Sequence, residues 1–126
     1  MTTALSPYLS VKGGLAAIEF YKAAFGAQEV GQRYQEGDRI GHADMTIDGA
    51  AFSLSDEAPN YDSLSPLTLG GAGVHLILMV ADPDAVFARA IAAGATANRP
   101  MRDEPHGRMG VVDDPFGHRW FIHGGG

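Results

Sequence analysis

The sequence predicts an α+β fold of two tandem modules, because the order strand, helix and hairpin occurs twice along its 126 residues. The stretch VKGGLAAIEFYKAAFGA, which begins at Val11, also aligns with VADPDAVFARAIAAGA, which begins at Val80, with a single gap. Each copy ends in Phe-Gly-Ala or Ala-Gly-Ala, as expected of two corresponding helix ends. We treat the chain as one domain, 1–126, with module one at about 5–57, a linker at 58–72 and module two at about 73–123.

Module one begins with PYLSV, which alternates apolar and polar side chains as a half-buried strand does. Apolar residues then recur at helical spacing from Leu15 to Phe25, and Gly26 can take the left-handed conformation that ends a helix. The segments IGHADMTID and AAFSLSD flank the dipeptide Asp48-Gly49, which accepts the positive φ angles of a two-residue turn. These segments predict a hairpin.

Module two begins with VHLILMV, a short apolar run that is typical of a strand covered on both faces. The next segment predicts a helix with Asp82 as its N-cap, Pro83 at its first position and Gly94 at its end. A polar loop, the segment MGVVD, a DPFG turn and the strand HRWFIH follow. In the turn, Asp114 is expected to accept hydrogen bonds from backbone amides, and strand parity places Trp120 against a helix.

Composition narrows the classes of function. The chain has no cysteine, so a disulfide framework, a thiolate nucleophile and a zinc-thiolate site are excluded. Its formal net charge of -6, without a basic cluster, disfavours a nucleic-acid partner. Because no segment reads as a secretion signal or a membrane span, we expect a cytoplasmic protein with no membrane partner. We also find no nucleophile elbow and no phosphate-binding glycine loop.

Five segments, taken in order, resemble proteins of the glyoxalase/bleomycin-resistance/dioxygenase group, the vicinal-oxygen-chelate superfamily. They are SPYLSV, AAIEFYKAAFGA, VHLILMV, DAVFARAIAAGA and DPFGHRW, and together they span nearly the whole chain. Within this group the chain is most similar to glyoxalase-like proteins encoded with phosphonate-use genes. The resemblance implies two βαβββ modules whose curved mixed sheets form a half-barrel cleft, and it implies a homodimer.

Enzymes of this superfamily usually hold a divalent metal with four side chains, two from each module. The resemblance places these positions at Ser6, Ser53, His75 and Phe121. Only His75 is a good ligand, and metal sites normally need three or more protein donors, so we expect no metal cofactor. The alternative donors are His42 and Asp44, a His-x-Asp pair on one strand face.

Strand alternation gives the lining of the expected cleft. If His75 faces the cleft, Ile77 and Met79 do so as well, and the aromatic lining suits a planar or amphipathic organic ligand. Arg108 lies in EPHGRMG, a segment that in related proteins reaches the pocket mouth, where it can pair with a carboxylate or phosphonate. The predicted ligand-binding residues are Tyr8, His42, Ser53, His75, Met79, Arg108 and Phe121, and His75 is the candidate catalytic base.

The leading functional prediction is a metal-independent protein that encloses a small organic molecule in the cleft between the modules. The alternative is a glyoxalase-type lyase or isomerase in which a metal, held by His75 and donors such as His42, polarises a substrate carbonyl. A third interpretation is an assembly module whose sheet edges pair with another copy. Whether the protein is an enzyme stays open at this point, as does the identity of its ligand.

Overall fold

The computed structural model describes residues 2–124 and confirms the predicted α+β fold of two βαβββ modules. Module one comprises β1 (Tyr8–Val11), α1 (Gly14–Phe25), β2 (Gln28–Glu36), β3 (Arg39–Ile47) and β4 (Ala50–Asp56). A 3-10 turn (Pro59–Tyr61) and the short helix α2 (Pro66–Leu69) connect the modules. Module two comprises β5 (His75–Val80), α3 (Pro83–Ala93), β6 (Thr96–Glu104), β7 (Gly107–Asp113) and β8 (Arg119–Gly124).

Each module contributes one mixed sheet of four strands. The strand orders are β1-β4-β3-β2 and β5-β8-β7-β6, and the first pair of each sheet is parallel while the other pairs are antiparallel. The same order in both sheets confirms the internal repeat. The two sheets are separate and are not closed into one barrel.

The local signals in the sequence explain where the main elements begin and end. Asp48 (φ 48°) and Gly49 (φ 86°) both have positive φ, which is the type I′ geometry predicted for the hairpin between β3 and β4. Gly26 ends α1 with φ 68° and donates its backbone N–H to the carbonyl of Lys22. The side chain of Asp82 accepts a hydrogen bond from the amide of Ala85 and caps α3 as predicted.

Residue-by-residue patterns missed β2 and β6, and the second of these lies in the segment that reads as a polar loop. Both are the outermost strands of their sheets, most of their side chains are exposed, and each pairs with irregular register. Because an exposed edge strand needs no apolar alternation, its sequence resembles a loop. The linker contains the short helix α2, which Ser65 caps by accepting a hydrogen bond from the amide of Leu67.

The helix-facing sides of the two sheets share one hydrophobic core. Helix α1 packs on α3, and the rings of Phe25 and Trp120 lie 4.7 Å apart between their centroids. Trp120 is 4% exposed, which confirms its predicted place in the core. The helices therefore lie between the sheets, and the opposite face of each sheet points away from this core.

Asp114 joins the modules at the centre of the core. Its carboxylate accepts hydrogen bonds from the Tyr21 hydroxyl (2.6 Å) and the Trp120 indole N–H (2.9 Å). It also accepts from the amides of Phe116 and His118, as the turn prediction required. Burial, and then the neighbouring Asp114, raise the pKa of Tyr21 well above its usual value.

No helix within residues 2–124 has the length and apolar character needed to cross a membrane.

Candidate functional site

On the outward side of the first sheet, four neighbouring polar side chains are joined by hydrogen bonds, and we call them the module-one face: Tyr8, His42, Asp44 and Ser53. Strand register places Tyr8 beside Ser53 and Ser53 beside Asp44. His42 precedes Asp44 by two residues on β3, so both side chains lie on one side of the sheet. The Asp48-Gly49 hairpin sets this register, because it fixes how β3 aligns with β4.

These four side chains form a continuous hydrogen-bonded network. The Tyr8 hydroxyl lies 3.0 Å from Nδ1 of His42, and Nε2 of His42 lies 2.9 Å from Oδ1 of Asp44. Ser53 donates to the same oxygen at 2.6 Å. The hydrogen bond from Ser53, followed by that from His42, lowers the pKa of Asp44, so its carboxyl group is ionised near neutrality.

The network fixes the proton positions on a neutral His42. An ionised Asp44 only accepts hydrogen bonds, so Nε2 of His42 must carry the ring proton. Nδ1 is then the acceptor, and the Tyr8 hydroxyl donates to it. The sequence indicated three of these residues as ligand contacts, but their joining through Asp44 depends on cross-strand register, which the sequence pattern alone did not supply.

The equivalent side of the second sheet is mostly apolar. We call it the module-two face: His75, Ile77, Met79, Val111 and Phe121. As strand alternation predicted, Ile77 (69% exposed) and Met79 (55% exposed) share the side of His75, while Leu78 is buried. The rings of His75 and Phe121 stack with centroids 5.5 Å apart, and the Arg99 guanidinium lies 6.0 Å from the Phe121 centroid.

Charged groups border the module-two face on one side. Arg119 stands beside His75 in the sheet and donates to Asp113 at 2.7 Å. This hydrogen bond is the main reason that the pKa of Asp113 is lowered. Arg119 and Asp113 therefore lie at the border of the module-two face, and its middle is apolar.

His123 lies within β8, close to the C-terminal end of that strand. Its Nδ1 is 3.0 Å from the sulfur of Met79, and its ring stacks on that of His106 at 5.2 Å between centroids. Its Nε2 is buried and has no hydrogen-bond partner among the described residues. His123 therefore supports the position of Met79 from the end of the module-two face.

Arg108 lies on β7, away from both faces. Its guanidinium donates to both carboxylate oxygens of Asp84, at 2.9 and 3.0 Å, and to Asp103 at 3.3 Å. The hydrogen bond with Asp84 is the largest cause of its raised pKa. In this arrangement Arg108 links β7 to the start of α3, rather than meeting the other predicted ligand contacts.

The structure thus brings the predicted site residues together in two groups. Tyr8, His42 and Ser53 belong to the module-one face, and His75, Met79 and Phe121 belong to the module-two face. Within residues 2–124, no hydrogen bond or ring contact connects these two groups. Separate grooves run between the sheet edges, one of about 370 Å³ beside β1, α2 and the start of β5 and one of about 610 Å³ beside the end of β5.

The residues at the family's metal positions do not fit a metal site. Ser6, Ser53 and Phe121 offer no strong ligand, which leaves one imidazole, that of His75. Both nitrogens of His42 are engaged, by Tyr8 and Asp44. In the part of the chain from residue 2 to 124, no group of three or more His, Asp or Glu side chains is close enough to hold an ion.

Comparison with known proteins gives a family match that spans both modules of the repeat. The family model described as Glyoxalase/Bleomycin resistance protein/Dioxygenase superfamily matches residues 8–122. The chain belongs to this superfamily. An uncharacterised Mycobacterium tuberculosis protein is 43% identical over 123 residues, which cover 94% of this chain and 72% of that protein.

Solved structures agree with this membership. TioX from Micromonospora sp. ML1 has a TM-score of 0.73 and 28% identity, with 98% of this chain and 97% of that chain covered. A variant of the fosfomycin resistance protein FosX from Listeria monocytogenes, complexed with Mn(II) and 1S,2S-dihydroxypropylphosphonic acid, has a TM-score of 0.73. It covers 100% of this chain and 93% of its own, but at 21% identity the likeness shows the fold alone.

Proposed function

We propose that this protein binds a small organic molecule without a metal, between the module-one face of one copy and the module-two face of a second copy. The observation that carries the proposal is that side chains of both faces are exposed in the single chain, among them Tyr8 (53%), Ile77 (69%) and Met79 (55%). The two sheets pack through a shared core on their helix-facing sides, so the two faces point away from each other within one chain. Bringing them together in the same chain would break core contacts such as that of Phe25 with Trp120. A homodimer completes the cleft.

The chemistry of the two faces supports an organic ligand with an aromatic or cationic part. Ile77, Met79 and Phe121 offer apolar and aromatic surface, which stabilises a planar group through burial and stacking. The module-one face supplies hydroxyl and imidazole groups that can orient a polar substituent. The formal net charge of -6 also favours a cationic ligand.

Two finer placements belong to the same proposal. The similarity of the sequence motifs to the phosphonate-associated glyoxalase-like proteins supports membership of that subgroup. The chain has no cysteine and therefore no disulfides, which are common in secreted proteins and rare in cytoplasmic ones, and this supports a cytoplasmic location.

A thermal-shift screen of aromatic and cationic compounds tests ligand binding. A compound that binds the folded protein raises the melting temperature as its concentration exceeds its Kd. We expect this shift to disappear in Phe121→Ala and to persist in Tyr61→Ala, a matched aromatic truncation at a residue that is 86% exposed outside both faces. A compound whose shift survives truncation on both faces contradicts binding in the cleft.

Metal content separates this proposal from the lyase or isomerase alternative. Elemental analysis of protein purified without chelator is expected to give far less than one divalent ion per chain. Stoichiometric metal that is lost in His75→Ala would favour the metal-dependent enzyme and contradict our proposal.

A further inference from the structure

We propose that Tyr8, His42 and Asp44 form a proton relay that makes the Tyr8 oxygen a nucleophile toward activated carbonyl compounds such as aryl esters. This inference goes beyond ligand binding, because it gives a covalent reaction to residues that the proposed function uses only as ligand contacts. It needs no metal and no second copy of the chain. The relay lies entirely on the module-one face.

The hydrogen bonds of the relay all run from the Tyr8 hydroxyl toward the Asp44 carboxylate. With a neutral His42 ring, whose proton the ionised Asp44 places on Nε2, Tyr8 donates to Nδ1 and Nε2 donates to the Asp44 carboxylate. A base placed between a hydroxyl group and a carboxylate is the arrangement that activates hydroxyl nucleophiles in general. Here a phenol takes the place of the usual aliphatic hydroxyl.

Ser53 holds the Asp44 carboxylate in place. Ser53 donates to Oδ1 of Asp44 at 2.6 Å, the same oxygen that faces His42. Strand pairing positions Ser53 directly between Tyr8 and Asp44. Ser53 and Asp44 are therefore positioning residues, whereas His42 touches the reacting oxygen itself.

The other three tyrosines lack this combination of features. Tyr34 and Tyr61 are more exposed, at 75% and 86% against 53% for Tyr8, yet in the described chain neither one donates to an imidazole. Tyr21 donates to a carboxylate but is fully buried. Only Tyr8, among the four tyrosines, combines access to solvent with a basic partner.

The reaction balances without a cofactor. The Tyr8 oxygen forms a bond to the carbonyl carbon of the ester while its proton moves to Nδ1 of His42. The ester C–O bond then breaks and the leaving group departs as a phenolate, which requires an aryl ester because an alkoxide is a poorer leaving group than the tyrosine oxygen. Asp44 stabilises the imidazolium that forms, and the product is an O-acyl tyrosine.

Acetylation by p-nitrophenyl acetate tests the relay in the full chain. The p-nitrophenolate released is followed by absorbance, and peptide mass spectrometry locates the acetyl group. We expect Tyr8 to react at least ~10-fold faster than Tyr61 and Tyr34, since base assistance typically contributes about 10²–10⁴-fold. Equal rates at the three tyrosines overturn the proposal, and this comparison requires no variant.

Two substitutions identify the base and its positioning partner. H42N keeps a polar group near the hydroxyl but removes the base, so Tyr8 should react at the rate of Tyr61. Y34F is the matched control, because Tyr34 stands opposite His42 on β2 but lies outside the relay, and it should leave the Tyr8 rate unchanged. A Tyr8 rate that is unaffected by H42N in a folded protein overturns the proposal.

Nitrogen-15 NMR of the imidazole provides a readout that a purely structural role of Asp44 would not move. We expect His42 to carry its proton on Nε2 in the wild type, and D44N to shift the ring toward a mixture of tautomers while slowing Tyr8 acetylation. A wild-type ring protonated on Nδ1 would contradict the relay, because Tyr8 then has no acceptor.

Discussion

The two strand faces occupy equivalent places in the repeat but carry opposite chemistry. Tyr8 and Ile77 each lie three residues before the aligned residues Val11 and Val80, so they are equivalent positions of the repeat. Each of them and its partners on the next two strands of the sheet form a row of three residues. The rows are Tyr8, Ser53 and Asp44 in module one, and Ile77, Phe121 and Val111 in module two. A duplicated backbone thus sets where side chains project, while the side chains that give each face its chemistry are free to differ.

The helices of the two modules differ as well. Helix α1 has seven buried residues, whereas α3 has two, Pro83 and Ala90. The difference arises because aromatic residues of module two, Phe116 and Trp120, pack against α1 as well as against their own module. The core is therefore centred on α1, with Asp114 reaching into it from module two.

The largest expected effect comes from breaking this joint between the modules. Asp114→Ala leaves the Tyr21 hydroxyl and the Trp120 indole N–H buried without an acceptor, so the free energy of unfolding should fall by about 3–5 kcal/mol. Urea unfolding measures the change. Asp103→Ala, at a carboxylate whose side chain is 89% exposed, is the control and should show no measurable loss. Equal behaviour of the two variants would mean that the joint does not hold the modules together.

The turns that lead into β4 and β8 each contain a glycine with positive φ, but their surroundings differ. Gly117→Ala forces a φ of 90° on a residue with a side chain and places its Cβ 2.8 Å from Cβ of Pro66, so we expect a loss of about 2–4 kcal/mol. Gly49→Ala, at φ 86° but with open space around the new Cβ, should cost about 1 kcal/mol. Thermal and urea unfolding of both variants give the order, and a larger loss for Gly49→Ala would refute the packing of the linker on module two.

Tyr21→Phe tests the same joint through pH. At pH 8 the variant should be about 1.5–3 kcal/mol less stable, because it lacks a hydrogen bond to a carboxylate. The folded pKa of Tyr21 is raised above its ordinary value of 10.0, so its contribution is complete below that value and is lost as pH rises toward the folded pKa. The stability difference between wild type and variant should therefore shrink between pH 9 and pH 11. A constant difference would contradict a buried, protonated phenol.

Much of the fold could be predicted because its signals are local. The N-cap at Asp82, the helix end at Gly26 and the Asp48-Gly49 turn depend on residues within a few positions of each other. Strands β2 and β6 could not be recognised from residue patterns, since solvent covers their side chains and removes the alternation that marks a strand. The tertiary role of Asp114 was also missed, because Tyr21, its partner, lies 93 residues away in the chain.

The candidate site was predicted in its parts but not in its arrangement. Alternation along β5 correctly placed Ile77 and Met79 on the side of His75. The sequence also picked out Tyr8, His42 and Ser53, but it contained no signal for their hydrogen-bonded order, which depends on the register of three strands. Arg108 shows the opposite case: its charge suggested a ligand contact, and in the structure Asp84 and Asp103 take up its donors.

Cross-linking shows whether the module-one face of one copy meets the module-two face of another. The chain has no cysteine, so Ser53→Cys in one preparation and Phe121→Cys in another each carry a single thiol, one on each face. When the two preparations are mixed and treated with a short bifunctional maleimide, the account predicts a covalent pair of chains. Phe121→Cys mixed with Ala88→Cys, whose thiol lies on α3 outside both faces, is the control. The proposal is contradicted if Ser53→Cys and Phe121→Cys link no better than this control. It is also contradicted if a double variant with both cysteines becomes linked only within one chain.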